Sequence, residues 1–363
     1  MTTRQQAAER SLHNQINILP KRELVIVFAG LALPLLISFV DQNGIGVTLP
    51  TIARDLHAED TISWAGTSSL IANTAFQMLY GRLSDIFGRK FVYLGAIMLL
   101  AIATLLCSFA ENGTMFYVFR GIAGVGAGGL ANLTMIIISD VCTLENKGYY
   151  QGIVGAFIGL GNVIGPFLAA AFVARGTWRA FFWTTAPIAT LVGVISSYLI
   201  PSSQPKAGVK EGVKNIDYGG VILSSAGVTL LLIPISGGGA YFSWTSSLVI
   251  SMLVLGSSSL LLFVLWEWKL AKLPMVPLDI FRSSAVSILL AQGFLFGSVY
   301  QSYLYYLPLY LQNARQYSVT QSAGAIAVLV GSQAVSSIIS GYYISQLKKW
   351  KLFICSGFLL WTM

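Results

Sequence analysis

Residues 81–90 read Gly81-Arg82-Leu83-Ser84-Asp85-Ile86-Phe87-Gly88-Arg89-Lys90, a polar turn set between two apolar blocks. Those blocks, near residues 63–83 and 91–110, each approach the ~20 residues that a helix needs to cross a ~30 Å hydrocarbon core. Within the turn, Gly81 allows close helix approach and Gly88 permits a sharp bend. Asp85 can cap a helix or pair with a cation, while Arg89 and Lys90 suit the anionic inner leaflet. An ordinary membrane turn accounts for the basic residues but not for the Gly–Asp–Gly spacing.

Outward from this turn the same pattern repeats. Ten apolar blocks of spanning length lie near residues 24–47, 63–83, 91–110, 115–139, 149–174, 180–200, 218–236, 245–266, 286–311 and 322–345. An eleventh starts near Lys351 and stops at Met363, too short to cross. A chain ending inside a helix reads as a fragment or a truncated gene product. Composition agrees with membrane residence. Only 10% of the 363 residues are charged and the mean hydropathy is +0.72, against roughly 25% charged in soluble domains. No segment alternates with period two, which argues against an outer-membrane barrel. The expected fold is therefore an all-α membrane bundle.

The net charge of +8 invites a nucleic-acid reading, but its distribution decides otherwise. With the N-terminus in the cytoplasm, seventeen of the 22 lysines and arginines fall in inside segments. Four (Arg54, Arg175, Arg179 and Arg315) fall outside, and Arg120 lies in a block. This asymmetry fixes the orientation by the positive-inside rule. Cys107, Cys142 and Cys355 lie in or beside apolar segments without paired spacing, and His13 and His57 fall outside the blocks. No disulfide, metal centre or cofactor site is expected from them, and no nucleophile–base pair suggests an enzyme. The first 22 residues are polar, so no cleavable signal peptide is expected.

The expected organisation is a cytoplasmic tail (1–23), a six-helix bundle (24–200), a basic cytoplasmic linker (201–217), two further spans with a cytoplasmic loop (218–285), and the start of a second bundle (286–363). A weak internal repeat aligns Gly81 with Gly341 and sets Ser345 where Asp85 stands.

Residues 81–90 resemble the loop between the second and third spans of the major facilitator superfamily, whose pattern is G-x-L-x-D-x-x-G-R-K. Asp41 with Thr48-Leu49-Pro50 is similar to the first-span signature of the fourteen-span drug:proton antiporter branch. Arg120-Gly121-Ile122-Ala123-Gly124 is similar to the R-x-x-x-G motif of the fourth span. Gly161-Asn162-Val163-Ile164-Gly165-Pro166 resembles the fifth-span antiporter motif, and Trp178-Arg179, Phe181-Phe182 and Pro187 resemble the entry to the sixth. Two departures stand out: Gln42-Asn43-Gly44-Ile45 after the first-span Asp, and Ala169-Ala170 where a Gly pair is usual.

The resemblance implies a secondary transporter, with proton-coupled efflux of drugs, toxins or other organic solutes by alternating access. Vacuolar basic amino acid transporters share the fold, and a non-transporting remnant or sensor is the alternative from another class. A small-molecule substrate, a proton and the bilayer are the implied partners of a monomer, in the plasma or vacuolar membrane of a fungus.

Individual residues keep two readings. Asp41 either faces a cavity or partner and binds and releases a proton, or sits wet at the outer end of its span. Arg120 either works with Asp41 in proton coupling or snorkels to the outer headgroups. Asp140 and Lys147 either join Asp85 and Arg89 in a charge network or are solvated loop charges. Gly161, Gly165 and Pro166 are expected to form a packing face that can bend. Gly124-Val125-Gly126-Ala127-Gly128-Gly129 matches a dinucleotide fingerprint formally, yet inside an apolar helix it reads as close packing. By depth and polarity, Trp64, Asn73, Gln77 and Gln292 are the candidate solute contacts at mid-membrane. Asn112-Gly113-Thr114 is a glycosylation sequon in a loop that hugs the membrane.

Overall fold

The computed structural model describes residues 21–201, 217–270, 275–276, 278–317, 319–347 and 350–362. Nearly all of the tail, the linker, and Lys206, Lys210, Lys214, Lys272, Lys348 and Lys349 lie outside the described residues. Among the described residues eleven α-helices follow in order: α1 Lys21–Asp55, α2 Trp64–Phe87, α3 Arg89–Ser108, α4 Gly113–Val141, α5 Leu144–Ala174, α6 Arg179–Leu199, α7 Tyr218–Gly237, α8 Ser247–Lys269, α9 Ser284–Asn313, α10 Val319–Leu347 and α11 Trp350–Thr362. Helices are what a bilayer demands, because every backbone polar group must be satisfied within its own segment. Nine of the helices are long and apolar enough to cross a membrane. α2 has the length but carries Ser, Thr, Asn and Gln along its course, and α11 is short.

Boundaries show where local chemistry overrides hydropathy. α1 runs to Asp55 rather than stopping near residue 47, carrying both Pro34 and Pro50 inside it. Pro34 has no N–H, so the Gly30 carbonyl one turn earlier loses its helical partner. The Ser196 hydroxyl of α6 donates to that carbonyl at 2.8 Å instead. Asn112 caps α4, its side chain accepting from the Met115 N–H at 2.8 Å; the sequon residue is thus a helix cap. Gly88, at φ 90°, turns the chain from α2 into α3, a backbone geometry that favours glycine.

Helices α1–α6 pack together, α1 against α5 and α6, α2 against α4, and α3 against α4 and α6. One apolar core, around Leu31, Tyr93, Leu100, Leu130 and Leu133, lies toward the 81–90 turn. A second, around Ile52, Phe116, Trp178, Phe181 and Phe182, closes the other end with edge-to-face aromatic contacts. There Asp55 accepts from the Trp178 indole at 2.9 Å and pairs with Arg179, whose guanidinium lies over the Trp178 ring.

Beyond this bundle the hairpin α7–α8 runs along α2. Ser225 donates to the Ala75 carbonyl at 2.9 Å, and Trp64 meets the rings of Tyr241 and Phe242 in the hairpin turn. α10 packs on α5, where Gly341 lies against the backbone of Gly148 and Gly152. Tyr300 of α9 donates to Gln333 of α10.

Candidate functional site

The chemistry gathers at two places, one inside the bundle and one at the 81–90 turn. Inside, α1 carries Asp41 and α4 carries Arg120, and each is 1% exposed. Arg120 Nη1 donates to Asp41 Oδ2 at 2.6 Å, and Thr104 of α3 donates to Asp41 Oδ1 at 3.4 Å. Buried Cys107 packs beside the guanidinium, whose Nε has no hydrogen-bond partner. Asp41 is therefore not a wet residue at a span end, and Arg120 does not snorkel. Each is the other's counter-charge, brought together from positions 79 residues apart. Two ions this deep are tolerated only as a close, hydrogen-bonded pair, and removing one partner strands the other.

Small residues make the approach possible. Gly124 of α4 lies against the backbone of Ser69, and Gly128 lies against Asn73. On α5, Gly161 presses on Leu36 and Phe39, and a Cβ at Gly165 would stand 2.7 Å from the Val40 carbonyl. Gly165 also faces Gly44, at a contact where Phe181 leaves no room for a side chain on Gly44 either. The departure at Gln42-Asn43-Gly44 thus has a physical reason. Gly44 admits α5, and Asn43 then donates through Nδ2 to Asn162 Oδ1 at 2.8 Å.

At the turn, Arg89 organises the charges. Its Nη2 pairs with Asp85 at 2.7 Å, its Nε with Asp140 at 2.9 Å, and it also donates to Ser84. Arg89 opens α3, Asp140 closes α4 and Asp85 ends α2, so one guanidinium ties three helices. The charge-network reading needs one correction. Among the described residues neither Lys147 nor Lys90 lies within ion-pair distance of a carboxylate.

Of the four solute-contact candidates, Asn73 and Gln77 lie one turn apart on α2, while Trp64 and Gln292 stand elsewhere. Trp64 stands at the first turn of α2 against the hairpin turn, at the end of the helix remote from Arg89 rather than midway. Asn73 packs on Gly128, the Gln77 carbonyl accepts from Asn132 at 2.6 Å, and Gln292 lies on α9. Sequence reasoning missed Thr104 and the Asn43–Asn162 pair. The former carries no local signal; the latter was visible only as a departure from the first-span pattern.

With this geometry in hand, comparison with known proteins is decisive for the family. The profile of the Major Facilitator Superfamily matches residues 31–363. The chain belongs to the major facilitator superfamily. Among curated members, it is 48% identical over 352 residues to Citrate exporter 1 of Yarrowia lipolytica, covering 97% of this chain and 52% of that protein. It is 42% identical over 349 residues to the MFS-type transporter clz4 of Cochliobolus lunatus, covering 96% of this chain and 62% of that one. The chain thus spans about half the length of the first of these relatives and under two thirds of the second. The major facilitator fold is also seen directly, as a likeness to the proton:xylose symporter XylE with TM-score 0.58 at 14% identity, over 90% of this chain and 70% of that one. This is an integral, multi-pass membrane protein of a superfamily of transporters, not of enzymes.

Proposed function

We propose that the protein is a secondary transporter that exports small organic solutes in exchange for protons by alternating access. The observation that carries this reading is the buried Asp41–Arg120 pair. A carboxylate at such depth has one counter-charge, and a proton and the Arg120 guanidinium compete for the same oxygen. Protonation of Asp41 frees Arg120 to move, which links proton entry to rocking of one bundle against the other. The relative at 48% identity is named a citrate exporter, so an organic acid of that kind is the first solute to try. Other curated relatives are named efflux pumps, which supports the wider class of exported organic compounds. Outward export places the protein in the plasma membrane, working as a monomer.

The test uses protein expressed from its complete reading frame in proteoliposomes, with labelled citrate and a panel of aromatic solutes. An imposed pH gradient is expected to accelerate flux of at least one solute severalfold, and a protonophore to abolish the acceleration. Flux of every transported solute at the same rate with and without the gradient would sink the proton-coupled reading. The Arg89 cluster acts in this scheme as a cytoplasmic latch between α2, α3 and α4. Arg89→Ala is expected to alter solute exchange severalfold while costing under about 1 kcal/mol of stability, because Asp85 and Asp140 are partly solvated. Unchanged exchange kinetics in that variant would remove the latch.

A further inference from the structure

We propose that Asn43 and Asn162 form a solute-recognition subsite for oxygen-rich organic solutes that carry both carboxylate and hydroxyl groups. This assignment rests on the transport reading above and names the groups that would meet the solute. It starts from the two helices that hold the pair.

On α5, Gly161 and Gly165 press on α1, while Gly152 and Gly159 press on α10. At 100° per residue, Asn162 falls on the arc between those two contacts. Leu160, Ile164 and Phe167, all exposed and apolar, occupy the opposite side. On α1, Leu199 and Phe181 of α6 cover Gly30 and Gly44 at the back, and Asp41 points toward α3 and α4. The stripe left open runs through Asn43, Gly46, Val47 and Pro50, away from α6. Asn162 therefore lies on the side of α5 between its contacts with α1 and α10, and Asn43 meets it there from the open stripe of α1.

Their hydrogen-bonding valences decide what they can take. The two N–H groups of Asn43 Nδ2 go to the Phe39 carbonyl at 3.0 Å and to Asn162 Oδ1 at 2.8 Å. That leaves Asn43 Oδ1 as an acceptor and Asn162 Nδ2 as a double donor, with no partner among the described residues. One acceptor beside two fixed donors matches a hydroxyl next to a carboxylate. The Asp41 charge, two residues before Asn43 and on the opposite side of α1, does not repel such an anion, because Arg120 neutralises it inside the bundle.

The test is solute exchange in proteoliposomes with equal pH on both sides, which removes proton coupling from the readout. The probes are citrate and tricarballylate, which differ by one hydroxyl. Asn162→Ala is expected to raise the KM for citrate about tenfold while leaving the maximal rate within about twofold. Asn162→Ser, which keeps a donor, is expected to recover part of that loss. Asn43→Ala is expected to remove the preference for citrate over tricarballylate. An unchanged KM and unchanged solute ranking in all three variants would overturn the subsite. So would a parallel loss of maximal rate and folded protein in both Asn162 variants, which marks a packing role. If the wild type exchanges neither probe, the organic-acid reading fails and this assignment with it. Exchange that is normal but insensitive to an imposed gradient would instead overturn proton coupling alone and leave the subsite standing.

Discussion

Arg120→Leu is expected to lower stability by about 3 to 5 kcal/mol and to abolish gradient-driven flux. The cost arises because Asp41, 1% exposed, is left without its counter-charge. The Thr104 hydroxyl, 3.4 Å away, cannot replace a guanidinium held at 2.6 Å. Adding Asp41→Asn to this variant removes the stranded charge, so the double variant is expected to recover most of the lost stability. It is not expected to recover coupling, since no carboxylate remains at the site. Thermal unfolding in detergent measures the first effect and pH-driven solute flux the second. Equal stability of the single and double variants would show that the pair is not an energetic unit. Retained pH-driven flux in the double variant would show that protons travel elsewhere.

Gly165→Val is expected to be the second largest effect, a loss of about 1 to 3 kcal/mol through overpacking. A Cβ there meets the Val40 carbonyl at 2.7 Å and the Gly44 nitrogen at 3.0 Å, both backbone atoms that cannot rotate aside. α1 must therefore withdraw from α5, and Asp41 is carried on the displaced segment. The comparison is Gly95→Ala on α3, where an added Cβ meets nothing within 4 Å. That change is expected to be neutral or slightly stabilising, because alanine restricts the unfolded chain. A Gly165→Val melting temperature matching that of Gly95→Ala would refute close packing of α1 on α5.

Both predictions concern tertiary contacts, and this is where sequence reading reaches its limit. Hydropathy locates the helices because bilayer thickness sets one length for all of them. It misjudges the end of α1, where Pro50 looks like a stop yet sits inside the helix and the Pro50 carbonyl accepts from Arg54. Positions 41 and 120 can each be singled out as costly ions in apolar surroundings. That they meet is not legible locally, since 79 residues intervene. The turn at 81–90 displays Asp85 and Arg89 together, but that Asp140 joins them depends on where α4 ends. Depth and polarity alone nominate Trp64, Asn73 and Gln77, whereas helix packing has already occupied Trp64 and Asn73 with Phe242 and Gly128. The paired asparagines show themselves only once α1 and α5 are in contact.

One repair in the first helix has a wider consequence. Pro34 removes a hydrogen bond that Ser196 restores from another helix, at the Gly30 carbonyl. A proline of this kind is often taken for a flexible joint, but here the break is bridged by a rigid, buried cross-tie. The two positions form a single heritable unit. While Pro34 stands, loss of the serine hydroxyl exposes an orphaned carbonyl, whereas replacing Pro34 first makes the serine dispensable. Drift through this part of the bundle therefore has a preferred order of steps, with the proline leaving before the serine.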